Sequence, residues 1–172
     1  HIPKTGGQSF GQRLAAGVAP GRAWYLRGDI TSRAQLNELT ETKAVVSAHP
    51  STGVLEHETR FAFAALVRDP VEQIVSNYLH VLRDAANDYH QQFVNLPVAR
   101  AVELSRGVFA NFQARSLVTS FFSFSAADML GDDERFLAKH LLEAADRLEW
   151  LAPPEALDEL SLLMAVQTGH DF

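Results

Sequence analysis

Apolar positions change their spacing along the chain, and the changes divide it into elements. Phe10, Leu14 and Val18 fall four residues apart, the spacing of one helix face. Val18-Ala-Pro-Gly21 ends that helix. Ala23 to Leu26 is a short strand candidate, and Thr31 or Ser32 can cap a helix running to Thr40. Ala44 to Ala48 and Phe61 to Val67 are apolar runs of strand length. Neither run alternates with polar residues, so both read as strands covered on two faces, as in a parallel sheet. After Asp69-Pro70, an apolar stripe of Val71, Ile74, Val75, Tyr78, Leu79 and Leu82 predicts a helix. The second half reads as mostly helical, over 98–105, 109–118, 133–147 and 154–167, with Pro154 in the first turn of the last helix.

Strand and helix alternate in the first half. That order predicts an α/β domain, a parallel sheet flanked by helices, followed by a mostly helical C-terminal half. No repeat or Pro/Gly linker divides the 172 residues, so 1–172 reads as a single domain. In such folds ligands sit at the carboxyl ends of the strands. Fifteen Lys+Arg against twenty-one Asp+Glu leave a net charge of −6. That balance argues against a general nucleic-acid binder or an anionic-membrane binder. With no cysteine there is no disulfide framework, thiol nucleophile or Cys-ligated metal. No apolar run reaches the ~18 residues of a membrane span, and a cytoplasmic location is expected. Twelve arginines against three lysines suggest a GC-rich bacterial source.

The most informative stretch is His1-Ile-Pro-Lys-Thr-Gly-Gly-Gln-Ser9. Two glycines let the backbone approach a ligand closely, and the helix that follows turns its free N–H groups toward the loop. Lys4 adds a full charge, and Thr5 and Ser9 add hydroxyl donors. The pattern suits an anion cradle, although a plain glycine turn before a helix would look similar. It is not a Walker A loop, because the lysine precedes the glycines.

Pro3-Lys-Thr-Gly-Gly-Gln-Ser9 resembles the 5′-phosphosulfate loop of sulfotransferases that use 3′-phosphoadenosine 5′-phosphosulfate. The full stretch is similar to that of the carbohydrate O-sulfotransferase branch and its bacterial relatives. Gln8 departs from the usual Thr. Val67-Arg-Asp-Pro-Val-Glu-Gln-Ile-Val-Ser-Asn-Tyr78 resembles the family's 3′-phosphate element, in which an Arg after a buried strand and a Ser on the next helix hold that phosphate. A third segment, Asn111-Phe-Gln-Ala-Arg-Ser-Leu117, resembles a helical Asn-x-Gln-x-Arg-x-Leu stretch of the same branch that borders a ligand or braces the fold.

The resemblance implies a P-loop-like fold whose first strand precedes His1, with further cofactor contacts possible beyond Phe172. It implies a donor held by Lys4, Thr5, Gly6, Gly7, Gln8 and Ser9 at one end and by Arg68 and Ser76 at the other. The implied activity moves the sulfuryl group to a hydroxyl, expected on a carbohydrate, and releases adenosine 3′,5′-bisphosphate, with no metal. Arg68 is a planar cationic fork suited to phosphate, and Ser76 falls off the apolar stripe. An Arg68–Asp69 turn pair and a solvent serine are the alternative for these two residues.

Sulfuryl transfer, like phosphoryl transfer, rests on positioning and charge stabilisation plus a base for the acceptor hydroxyl. Lys4 is the candidate for charge stabilisation. His49, emerging after the strand 44–48, is the candidate base; Ser47-Ala-His-Pro50 resembles the family's histidine segment. His57 is a second candidate, flanked by Glu56 and Glu58. His80, His90, His140 and His170 read as surface or packing residues, and His1 as a marginal cofactor contact. Phe109, Phe112, Phe121, Phe122 and Phe124 could stack a ring, but core packing is the default. Asp132, Asp133 and Glu134 read as an acidic patch at a helix start. Two other readings stand beside the transferase. One is a small nucleotide kinase or hydrolase, with Asp69 as its only magnesium candidate; the other is a non-catalytic nucleotide-binding relative.

Overall fold

A computed structural model describes residues 7–50, 52–124, 134–170 and 172. Helix α1 (Gly7–Ala16) leads through a turn into strand β1 (Ala23–Ile30), helix α2 (Arg33–Thr42) and strand β2 (Val45–Pro50). β1 and β2 are parallel, so this is a βαβ unit. Ser32 caps α2, accepting a hydrogen bond from the Gln35 backbone N–H. A loop then reaches strand β3 (Ala64–Leu66) and helix α3 (Pro70–Arg83). Asp69 caps α3, its carboxylate accepting from the Val71 and Glu72 N–H groups. Helices α4 (His90–Phe93), α5 (Val98–Leu104), α6 (Arg106–Phe109), α7 (Phe112–Phe121) and α8 (Glu134–Ala145) follow. Strand β4 (Trp150–Ala152), a short 3₁₀ turn (Pro154–Ala156) and helix α9 (Leu157–Thr168) complete the order.

The α/β class and the helical second half are observed. In place of one sheet, the described residues form two parallel pairs, β1 with β2 and β3 with β4. Both pairs lie between the same two apolar clusters. Phe10 and Leu14 of α1 pack with Val45 of β2, Leu66 of β3, and Leu160 and Met164 of α9. On the opposite side, Ala48 of β2 and Ala65 of β3 pack with Leu36 and Leu39 of α2 and Leu117, Val118 and Phe121 of α7. A cavity of about 120 Å³ is lined by Val46, Ala48 and Pro50 from β2 and by Ala64 and Ala65 from β3. Among the described residues no helix is long and apolar enough to cross a membrane.

Several boundaries differ from the sequence reading. β1 runs on to Ile30 through a register irregularity between Tyr25 and Asp29. The run 61–67 pairs only over Ala64–Leu66, against β4, a strand that three residues of no periodicity did not announce. Asn111, in the left-handed region at φ 52°, divides the expected helix 109–118 into α6 and α7. On α3 the buried face is rotated toward Gln73 and Val81, each 2% exposed, while Val71 is 68% exposed. Ile74, Tyr78 and Leu82 of the stripe do pack inward, against Val81, Phe93, Ala101 and Phe109.

Candidate functional site

Two of the strands end at candidate residues. His49 is the penultimate residue of β2 and Arg68 lies two residues past the end of β3. Alternation along β2 puts Val46 and Ala48 on the α2/α7 side and Val45, Ser47 and His49 on the side that α1 covers. Six residues separate α1 from β1, and α1 packs on both β1 and β2. Its first turn carries the last residues of the glycine-bearing motif, Gly7, Gln8 and Ser9. Gly7 is buried, and Gln8 and Ser9 are exposed in this first turn. Lys4, Thr5, Gly6 and His1 lie outside the described residues, as do Asp132 and Asp133.

His49 is half-buried. Loss of hydration on burial holds its imidazole below the usual histidine range, and the Asp29 carboxylate opposes that shift. A neutral imidazole at pH 7 is the state a general base needs. His57, the second candidate, is exposed in the loop that follows.

Arg68 is held through its backbone. Its N–H donates to Gln113 Oε1 at 2.7 Å, and its carbonyl accepts from Gln113 Nε2 at 2.8 Å. Gln113 stands in the first turn of α7, so the third sequence motif braces the Arg68 corner through its glutamine. The Arg68 side chain is 35% exposed and pairs with Glu72 at 2.9 Å rather than with Asp69. Ser76 is half-buried on α3, two turns past the Asp69 cap. Gln73, unflagged by the sequence, is buried with its Nε2 lacking a hydrogen-bond partner.

The loop between β2 and β3 is fixed by α7 and by Arg147. The Gly53 and Leu55 N–H groups donate to the Thr119 and Ser120 carbonyls at 2.8 and 3.0 Å. Arg147 donates to the carbonyls of Glu56, Leu55 and Glu58 at 2.7, 2.8 and 3.0 Å, and its guanidinium lies 4.6 Å from the centre of the Phe121 ring. Glu58, its side chain fully buried, accepts from Arg60 Nη2 at 2.6 Å. Phe109 and Phe121 are core residues, while Phe122 and Phe124 pack edge-on to His140. His90 bonds the Val81 carbonyl. No family model, curated protein or solved structure matches this chain.

Proposed function

We propose that the protein is a sulfotransferase that moves the sulfuryl group of 3′-phosphoadenosine 5′-phosphosulfate to an acceptor hydroxyl, of a carbohydrate or small molecule, in a bacterial cytoplasm. The supporting observation is the cluster that joins Phe10 and Leu14 of α1 to Val45 of β2 and Leu66 of β3. One helix, the one behind the lysine- and glycine-bearing loop, thus shares a hydrophobic cluster with the strand that carries His49 and the strand that precedes Arg68. The motifs that resemble the two ends of a bisphosphorylated nucleotide site flank elements that meet in one cluster.

In this reading Arg68 and Ser76 hold the 3′-phosphate, and Gly7, Gln8 and Ser9 join Lys4, Thr5 and Gly6 around the 5′-phosphosulfate. His49 takes the acceptor's hydroxyl proton as the new oxygen–sulfur bond forms. Lys4 stays on the bridging oxygen and offsets the charge that grows there as the sulfur–oxygen bond to phosphate breaks. The products are a sulfate ester and adenosine 3′,5′-bisphosphate. The kinase or hydrolase reading loses support, since Asp69, its magnesium candidate, caps α3.

The test has two arms. Adenosine 3′,5′-bisphosphate at 100 times its Kd, without magnesium, should stabilise the fold by about 2.7 kcal/mol, or roughly 5–11 °C in Tm for a chain of this size. Labelled sulfate from the donor should appear on a hydroxyl acceptor in a panel of sugars and small alcohols. Stabilisation only by ATP with magnesium would overturn the proposal in favour of the kinase. Bisphosphate binding with no labelled product across the panel would overturn it in favour of a binding protein.

A further inference from the structure

Asp29 and His49 are register partners on the adjacent parallel strands β1 and β2. Directly paired residues of neighbouring strands turn their side chains to the same side, about 5 Å apart at the backbone. Here that is the side α1 covers, at the carboxyl end of the pair. The pairing depends on the irregularity in β1. Between Tyr25 and Asp29, β1 advances four residues while β2 advances two, from Ser47 to His49. Such bulges re-aim side chains, and they are over-represented beside active sites. Restored register places a carboxylate, not the residue two positions earlier, beside the imidazole.

Resting on the sulfotransferase reading, we infer that Asp29 is a positioning residue for His49. It orients the imidazole and balances the imidazolium formed when His49 accepts the acceptor's proton. The proton resides on an imidazole nitrogen until it leaves to solvent. Asp29 is exposed at the strand end, so its effect on His49 is moderated by water. Among the described residues, Asp29 is the charged group acting on His49 from β1. α1 brings uncharged Gln8 and Ser9 in its first turn, and its Arg13 is engaged with Asp158.

The decisive experiment follows the His49 imidazole by NMR titration in wild type, Asp29→Asn and Asp29→Glu, and measures transfer kinetics of the same proteins. Asp29→Asn should lower the His49 titration midpoint by about half a pH unit and cut kcat about three- to tenfold. KM for the donor should stay within about twofold. Asp29→Glu should recover most of both. An unmoved midpoint in Asp29→Asn overturns the inference, as does a fall in kcat that Asp29→Glu fails to rescue. The titration needs no substrate. A wild-type chain without transfer activity would therefore sink the sulfotransferase reading while the titration still decides whether the two side chains are coupled.

Discussion

Gly53 offers the sharpest test of how the loop after His49 is held. Its φ is +71°, a left-handed conformation that costs an ordinary residue about 1–2 kcal/mol. A Cβ built there would also lie 1.9 Å from Ser123 Oγ, 3.0 Å from Ser123 Cβ and 3.1 Å from its Cα. The hydroxyl alone could turn away, at the expense of its 3.0 Å bond to Glu56. The Cβ and the backbone behind it could not, so overpacking adds about 1–3 kcal/mol. Gly53→Ala should thus destabilise by about 2–5 kcal/mol and lower Tm by at least about 4 °C. The two contributions separate in a cycle with Ser123→Gly, which removes the opposing side chain. In that background Gly53→Ala should keep the conformational part, about 1–2 kcal/mol, and lose most of the overpacking, since only the residue 123 Cα at 3.1 Å stays close. Urea unfolding of the four proteins, followed by circular dichroism, gives the numbers. A Gly53→Ala cost below about 0.5 kcal/mol, or an equal cost in both backgrounds, would refute the described packing of this loop on the segment after α7.

Four further outcomes are expected. Gln113→Ala should weaken adenosine 3′,5′-bisphosphate binding about tenfold by calorimetry, because the Arg68 N–H and carbonyl lose their partners at about 1–3 kcal/mol; unchanged affinity would separate this corner from the site. Glu72→Gln should tighten the same binding about twofold at low salt, since an exposed i,i+4 pair with Arg68 contributes only about 0.3–0.5 kcal/mol, and a weaker complex would count against phosphate at Arg68. The Arg60 guanidinium holds the Glu58 carboxyl below the usual carboxylate range, so its stabilisation is complete above that range and disappears as pH falls through the folded value; urea midpoints from pH 6 to 3 should fall less steeply in Glu58→Gln, and parallel slopes would contradict this. Lys4→Ala should reduce kcat far more than bisphosphate affinity, and equal losses in the two would deny the lysine a transition-state role.

The first half of the fold was legible because its signals are local. Ser32 supplies a side-chain cap to α2, Asp69-Pro70 supplies cap and first turn to α3, and two apolar runs mark β2 and β3. The pairing of β3 with β4 was not legible. Ala64 meets Trp150 across a gap in sequence that leaves no periodic trace, and three residues are too few to show a period. On α3 the apolar stripe misled about the buried face. Val71 sits in the first turn, ahead of the contacts that Tyr78, Val81 and Leu82 make with Phe93 and Phe109, and Gln73 takes a buried place that hydropathy assigns to solvent. Tertiary packing decided that face, as it does for most helices.

The candidate site divides along the same line. Glycines, a lysine and an arginine in a characteristic order are visible one residue at a time, whereas the groups that set their behaviour come from elsewhere in the chain. Gln113 lies 45 residues from the Arg68 backbone it grips with both ends of its amide. That grip fixes the Arg68 Cα and leaves the guanidinium able to exchange Glu72 for another anion. Asp29 reaches the His49 neighbourhood only because β1 gains extra residues before pairing resumes, a gain whose one mark in the sequence is Gly28 inside the strand. Under the proposed function, each of the two candidate groups has a partner on another element: Gln113 clamps the Arg68 backbone without occupying its guanidinium, and strand register sets Asp29 opposite His49. A mutation at Gln113 should therefore act on binding, and one at Asp29 on turnover, although neither residue belongs to the motifs that first mark the site.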